Sequence, residues 1–77
     1  MIQVGALEDE HEAKVRLDLA QSKAPALLRR AEPFTETFVK GDKTYFRARF
    51  AGFDKERAEA ACKSLKRNDV PCMALKN

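Results

Sequence analysis

Two segments in the middle of the chain alternate between apolar and polar side chains. Residues 34–39 (FTETFV) and 44–50 (TYFRARF) have the period of two that is typical of a half-buried β-strand, and both are rich in aromatic or β-branched residues. The four residues between them, Lys-Gly-Asp-Lys, have the composition of a turn. The alternation therefore predicts an antiparallel hairpin that turns at Gly41 and Asp42.

Two further segments have the periodicity of amphipathic helices. Residues 8–22 begin with a cluster of acids, which suits the positive end of a helix dipole. Their apolar stripe consists of Ala13, Leu17 and Ala20. Asp54 is a suitable N-cap for a second helix, which we expect to end near Asn68 and Asp69. The buried face of that helix consists of Ala58, Ala61, Cys62 and Leu65.

The remaining segments complete a fold of the α+β class. Residues 1–6 and 70–75 each predict a short strand, and residues 26–30 predict one helical turn after Pro25. The predicted order is βαββαβ, as in ferredoxin-like and RNP-like folds. We therefore expect a four-stranded antiparallel sheet with two helices on one face and with the other face open.

The composition of the open face follows from the alternation of side chains along each strand. The apolar set of the third strand must meet the helices, so Thr44, Phe46, Ala48 and Phe50 are expected to face inward. The hairpin would pair Tyr45 with Phe38 on the opposite side of the sheet. It would also pair Arg47 with Glu36 there. The predicted open face then carries Gln3, Glu36, Phe38, Tyr45, Arg47, Arg49, Met73 and Leu75.

Size and charge narrow the classes of function. A chain of 77 residues makes one domain and is too short for a Rossmann fold or a TIM barrel. The net charge of +3 permits an anionic partner without requiring one. No apolar run is long enough to span a bilayer, so we expect no direct membrane insertion.

The potentially reactive residues form no recognisable catalytic or metal-binding motif. His11 is the single histidine, and neither Ser22 nor Ser64 has partners at the spacing of a catalytic triad. The histidine and the two cysteines, Cys62 and Cys72, lack the spacing of a zinc site. We therefore predict a non-enzymatic domain without metal or cofactor. Both cysteines are expected on inward surfaces that touch, either as free thiols or as a disulfide.

Three kinds of ligand remain for an open face of this composition. Single-stranded RNA stacks on the aromatic residues of RNA-recognition motifs, which share this topology. Residues 45–50 (YFRARF) lack the glycines of the corresponding RNA-binding strand. A sugar polymer would stack pyranose rings on the aromatic side chains and accept hydrogen bonds from Gln and Arg. A partner protein that docks on the sheet is the third alternative.

Two blocks of the sequence resemble a known family. Residues 2–7 (IQVGAL), followed by a helix, resemble the opening of a SPOR domain, the sporulation-related repeat that binds peptidoglycan. Residues 45–53 (YFRARFAGF) resemble the second block of that family, an aromatic-x-Arg strand that leads into a turn of small residues. The form found here, with the run Arg-Ala-Arg-Phe-Ala-Gly-Phe at residues 47–53 and with two cysteines, is similar to SPOR domains at the C-termini of alphaproteobacterial D-alanyl-D-alanine carboxypeptidases.

The resemblance implies a ligand and a set of binding positions. The ligand would be glycan strands without stem peptides, as found at division septa, and the domain would localise an attached cell-wall enzyme there. The family positions carry over to Gln3, Ala6, Tyr45, Arg47 and Met73, and the open face adds Phe38 and Arg49. Ala6 departs from the family pattern, because a hydroxyl is common at that position.

The resemblance also implies a cellular setting. Residues 1–77 would be one domain of a longer exported protein, a monomeric module in the periplasm or cell envelope that binds no nucleic acid. The parent protein would be a carboxypeptidase of the kind named above. Since the periplasm is oxidising, we expect a disulfide between Cys62 and Cys72 rather than two free thiols.

Overall fold

The computed structural model describes residues 1–75 and contains four strands and three helices. In chain order they are β1 (Ile2–Leu7), α1 (Glu10–Lys23), α2 (Pro25–Leu28), β2 (Glu32–Lys40), β3 (Lys43–Ala51), α3 (Lys55–Arg67) and β4 (Met73–Ala74). The predicted α+β class, the βαββαβ order of the main elements along the chain and the two main helices are confirmed. The helical turn expected after Pro25 is present as α2, and its Leu28 is buried in the core.

The four strands form one antiparallel sheet in the order β2-β3-β1-β4. The predicted hairpin register is confirmed, since Phe38 pairs with Tyr45 and Glu36 pairs with Arg47. Gly41 has a positive φ of 63°, so the turn lies where a glycine is available for the left-handed conformation. The register fixes which side chains of β2 and β3 share a face.

A β-bulge in β1 is not predicted by the sequence pattern. Gln3 pairs with Arg49, but Gly5, rather than Val4, pairs with Ala48, and Ala6 then pairs with Arg47. Strict alternation from Gln3 would have turned Ala6 toward the helices. The extra residue reverses the alternation beyond it, so both Gln3 and Ala6 lie on the open side of the sheet.

Arg16 of α1 anchors the bulge. Its Nη1 donates a hydrogen bond to the carbonyl oxygen of Val4 at 3.0 Å. A Cβ at Gly5 would lie 2.9 Å from that same nitrogen. Glycine at this position therefore lets the guanidinium of Arg16 pass close to the strand and reach the Val4 carbonyl.

The core lies between the sheet and the two long helices. Ile2, Val4, Ala48 and Phe50 contribute from the sheet, and all are fully buried. The helices contribute the small and medium-sized residues that the periodicity predicted: Ala13, Leu17, Ala20, Ala58, Ala61, Cys62 and Leu65. Asp9 and Asp54 cap the helices by accepting hydrogen bonds from backbone N–H groups, at 2.7 and 2.8 Å.

The last strand is shorter than predicted. The N–H of Val70 donates to the carbonyl of Leu65 at the end of α3, at 2.9 Å, and Pro71 has no N–H to donate. Pairing with β1 therefore begins only at Met73, opposite Gln3. Beyond β4, the N–H of Leu75 donates to the carbonyl of Met1 at 2.9 Å.

A disulfide joins α3 to the segment that leads into β4. Cys62 and Cys72 are bonded, with their Cα atoms 5.0 Å apart, so the expected pairing is confirmed. Both cysteines are buried and face the core, as the periodicity of the helix and the strand indicated. Within residues 1–75, no helix has the length and apolar character needed to cross a bilayer.

Candidate functional site

The open face consists of the side chains that project from the sheet away from the helices. Residues paired across antiparallel strands share a face, so the register assigns its members strand by strand. Its central members are Phe34, Glu36 and Phe38 from β2, Tyr45, Arg47 and Arg49 from β3, Gln3 and Ala6 from β1, and Met73 from β4, and the same register continues to Glu32, Lys40 and Lys43 at the ends of the hairpin. All seven binding positions expected from the sequence therefore lie on one surface.

Arg49 is fixed at the centre of this surface. Its Nε donates to Oε1 of Gln3 at 2.9 Å, and its Nη1 donates to Oε2 of Glu36 at 3.3 Å. Only 13% of the side chain is exposed. Arg49 thus holds side chains from both neighbouring strands, and its bond to Gln3 uses only the amide oxygen of that residue.

Arg47 is oriented but keeps its hydrogen-bond donors available. Its guanidinium carbon lies 3.9 Å from the centre of the Phe38 ring, a cation–π contact. Its Nη1 is 3.7 Å from Oε1 of Glu36, which is an ion pair but too long for a hydrogen bond. Within the described chain this guanidinium donates no hydrogen bond, so its N–H groups are not used by the protein itself.

Apolar side chains flank the polar centre on both sides. Phe38 and Tyr45 are directly opposite each other on β2 and β3, and each is half-buried although no helix covers it. Met73 lies across the sheet beside Gln3 and is 57% exposed. A ligand laid across the strands would therefore meet an aromatic pair, then guanidinium and amide groups, and then a thioether.

The open face includes Ala6, which was expected from the sequence, and Phe34, which was not. Ala6 is exposed opposite Arg47 and offers only a methyl group, so the hydroxyl common in the family is absent at this point. Phe34 is not among the site residues expected from the sequence, yet it pairs with Arg49 on the open face and is half-buried. The signal was present, because Phe34 is in period-two alternation with Glu36 and Phe38.

The open face is a surface rather than a pocket. A cavity of about 310 Å³ lies elsewhere, between α2 and the start of α3, and it includes Arg29, Arg30 and Arg57 but no residue of the open face. A second cavity, of about 390 Å³, lies between α1 and β2 and touches the open face only at Phe34. In the part of the chain described by the structure, no three His, Cys, Asp or Glu side chains group as metal ligands. A shallow surface with separated stacking and hydrogen-bonding groups suits an extended ligand better than a small enclosed one.

The fold is that of a small α+β domain with one face of its sheet uncovered by helices. The chain matches the family model of the SPOR domain over residues 1–76, and it belongs to that family. SPOR domains are non-catalytic modules that bind peptidoglycan and occur in cell-envelope proteins. The sequence-based recognition of the family is thereby confirmed.

Comparison with solved structures supports the same fold. The crystal structure of the RlpA SPOR domain from Pseudomonas aeruginosa superposes with a TM-score of 0.77, covering 99% of this chain and 96% of that chain. The two sequences are only 14% identical, so the similarity shows a shared fold and carries no assignment of individual residues. No curated protein matches the sequence significantly.

Proposed function

We propose that this SPOR domain binds peptidoglycan glycan strands that lack stem peptides, and that it does so through the open face. The binding residues would be Gln3, Ala6, Phe38, Tyr45, Arg47, Arg49 and Met73. By this binding the domain would localise an attached cell-wall enzyme to the division septum, in the periplasm or cell envelope. The similarity noted in the sequence makes a D-alanyl-D-alanine carboxypeptidase our candidate for the attached enzyme.

The observation that carries this proposal is that the hydrogen-bond donors of Arg47 are available to a ligand. Its guanidinium is held over Phe38 with its donors unused by the described residues. N-acetylmuramic acid carries a lactyl carboxylate, which is free only when the stem peptide has been removed. A guanidinium fork recognises a free carboxylate far better than the neutral amide that replaces it in the intact polymer. Arg47 thus supplies a physical reason to prefer stripped strands.

The remaining residues would contribute contacts to the sugar rings. Phe38, Tyr45 and Met73 present apolar surface against which the C–H faces of pyranose rings can pack. The amide nitrogen of Gln3 can donate to ring hydroxyls or acetamido carbonyls. Arg49 would act mainly by holding Gln3 in place, because most of its own side chain is covered.

Single-stranded RNA fits this surface less well. A strand of RNA carries one phosphate per nucleotide and is bound chiefly through basic groups. Here the carboxylate of Glu36 lies between the two central arginines and is half exposed. A ligand with isolated carboxylates is compatible with that arrangement, whereas a continuous chain of phosphates is not.

The test is co-sedimentation of the purified domain with sacculi before and after an amidase has removed the stem peptides. We expect binding to increase after stripping. Arg30→Ala serves as the matched control for Arg47→Ala, because Arg30 is exposed on another part of the domain. It should bind like the unmodified domain. Equal binding to intact and stripped sacculi would contradict the proposed preference.

A further inference from the structure

Glu36 is held between two arginines in the middle of the open face. Its Oε1 lies 3.7 Å from Nη1 of Arg47, and its Oε2 lies 3.3 Å from Nη1 of Arg49. One carboxylate therefore forms ion pairs with two guanidinium groups, which project from alternate positions of β3. Half of the Glu36 side chain is nevertheless exposed, so a ligand on this surface would meet its charge.

The surroundings of Glu36 show what the surface would be without it. The register places Lys40 and Lys43 on the same side of the hairpin, beyond Phe38 and Tyr45. With Arg47 and Arg49 these lysines make a basic row along β2 and β3 that passes beside two aromatic rings. A basic groove with aromatic stacking groups is the usual surface for single-stranded nucleic acid. Glu36 interrupts that row, and Glu8 pairs with Lys43 at its end, at 3.6 Å.

We propose that Glu36 is a specificity-determining residue, which keeps the open face from binding polyanions such as single-stranded RNA. Its carboxylate reduces the charge of the arginine pair from +2 to +1 and repels a neighbouring phosphate. A sugar polymer brings at most one carboxylate per disaccharide, which Arg47 can accept beside Glu36. The glycan side of this selectivity rests on the proposed function, and the exclusion of polyanions does not.

The experiment compares Glu36→Gln with Glu32→Gln. Glu32 is exposed and lies on the same strand and, by alternation, on the same side of the sheet as Glu36. In the described part of the chain, Glu32 makes no ion pair. The two variants therefore change the net charge equally. The probe is a fluorescein-labelled oligouridylate, with binding followed by fluorescence anisotropy at several salt concentrations.

We expect Glu36→Gln to bind the oligouridylate about tenfold more tightly than the unmodified domain at low ionic strength. The slope of log affinity against log salt should steepen by about 0.7 for each additional phosphate that the variant neutralises. Glu32→Gln should change little. Glu36→Asp, which keeps the negative charge, should retain the weak binding of the unmodified domain.

The outcomes separate the two proposals. An equal increase in oligouridylate affinity for Glu36→Gln and Glu32→Gln would overturn the inference, because net charge alone would then explain the effect. No increase for Glu36→Gln would also overturn it, provided that circular dichroism shows an unchanged melting temperature. If the unmodified domain fails to bind stripped sacculi while Glu36→Gln still binds oligouridylate more tightly, the proposed function fails and the inference about polyanions stands.

Discussion

Arg47 and Arg49 are two positions apart on β3, yet their surroundings predict different consequences of substitution. Arg47 makes a long ion pair and a cation–π contact at a partly exposed site. Its replacement by Ala should change the free energy of unfolding by less than about 1 kcal/mol. It should nevertheless abolish most binding to stripped sacculi. Co-sedimentation and thermal melting measure the two effects, and normal binding by Arg47→Ala would exclude the proposed site.

Arg49→Ala is the informative counterpart. The side chain of Arg49 is largely covered and makes two hydrogen bonds, to Gln3 and to Glu36. Its loss should therefore destabilise the domain by roughly 1–3 kcal/mol and weaken glycan binding indirectly, by releasing Gln3. A melting temperature equal to that of Arg47→Ala would show that Arg49 has no such structural role.

The aromatic residues of β3 divide in the same way between binding and stability. Tyr45→Ala should lose glycan binding with a change of about 0.5 kcal/mol or less in stability, because no helix packs on Tyr45. Phe50 is fully buried, so Phe50→Ala should cost roughly 3–5 kcal/mol. Phe46 faces the core but is only partly buried, and its replacement should cost less than that of Phe50. Denaturant unfolding of the three variants gives this order, and early unfolding of Tyr45→Ala would contradict it.

At the scale of elements, the disulfide is expected to hold β4 in place. This strand has two residues and pairs with β1 at two positions, so its own hydrogen bonds provide little stability. Opening the loop between Cys62 and Cys72 should lower stability by roughly 2–3 kcal/mol in the chain-entropy model. Because Met73 follows Cys72 directly, glycan binding should also weaken. Thermal melts and co-sedimentation with and without a reductant test this, with a Cys62→Ala, Cys72→Ala double variant as a control that no longer responds to the reductant.

Elements differ in how far the sequence could predict them. The β2–β3 hairpin is predicted with its register because alternation, aromatic residues and the turn all indicate the same pairing. The bulge at Val4 could not be predicted, because it depends on a tertiary contact from Arg16 of α1. The predicted length of β4 is too great because the apolar pattern of residues 70–75 does not reveal that the N–H of Val70 caps α3.

The same distinction applies to the candidate site. Tyr45, Arg47, Arg49 and Gln3 are assigned to the open face from alternation alone, since one face of each strand must meet the core. Ala6 is expected only from the resemblance to the SPOR family, and the bulge is the physical reason why it lies on that face. The sharing of Glu36 between two arginines requires side-chain geometry, which a sequence pattern does not contain.

For the whole molecule, the distribution of charge predicts how glycan binding depends on salt. The net charge is only +3, and at the centre of the open face Glu36 offsets part of the charge of Arg47 and Arg49. If Arg47 makes the single ionic contact while Phe38, Tyr45, Met73 and Gln3 make uncharged ones, then the apparent affinity for stripped sacculi should fall by less than about tenfold between low and physiological salt. Co-sedimentation across a sodium chloride series measures this dependence. A loss of several hundredfold over that range would mean that many charges are neutralised on binding, and the uncharged contacts proposed for the open face would then have to be abandoned.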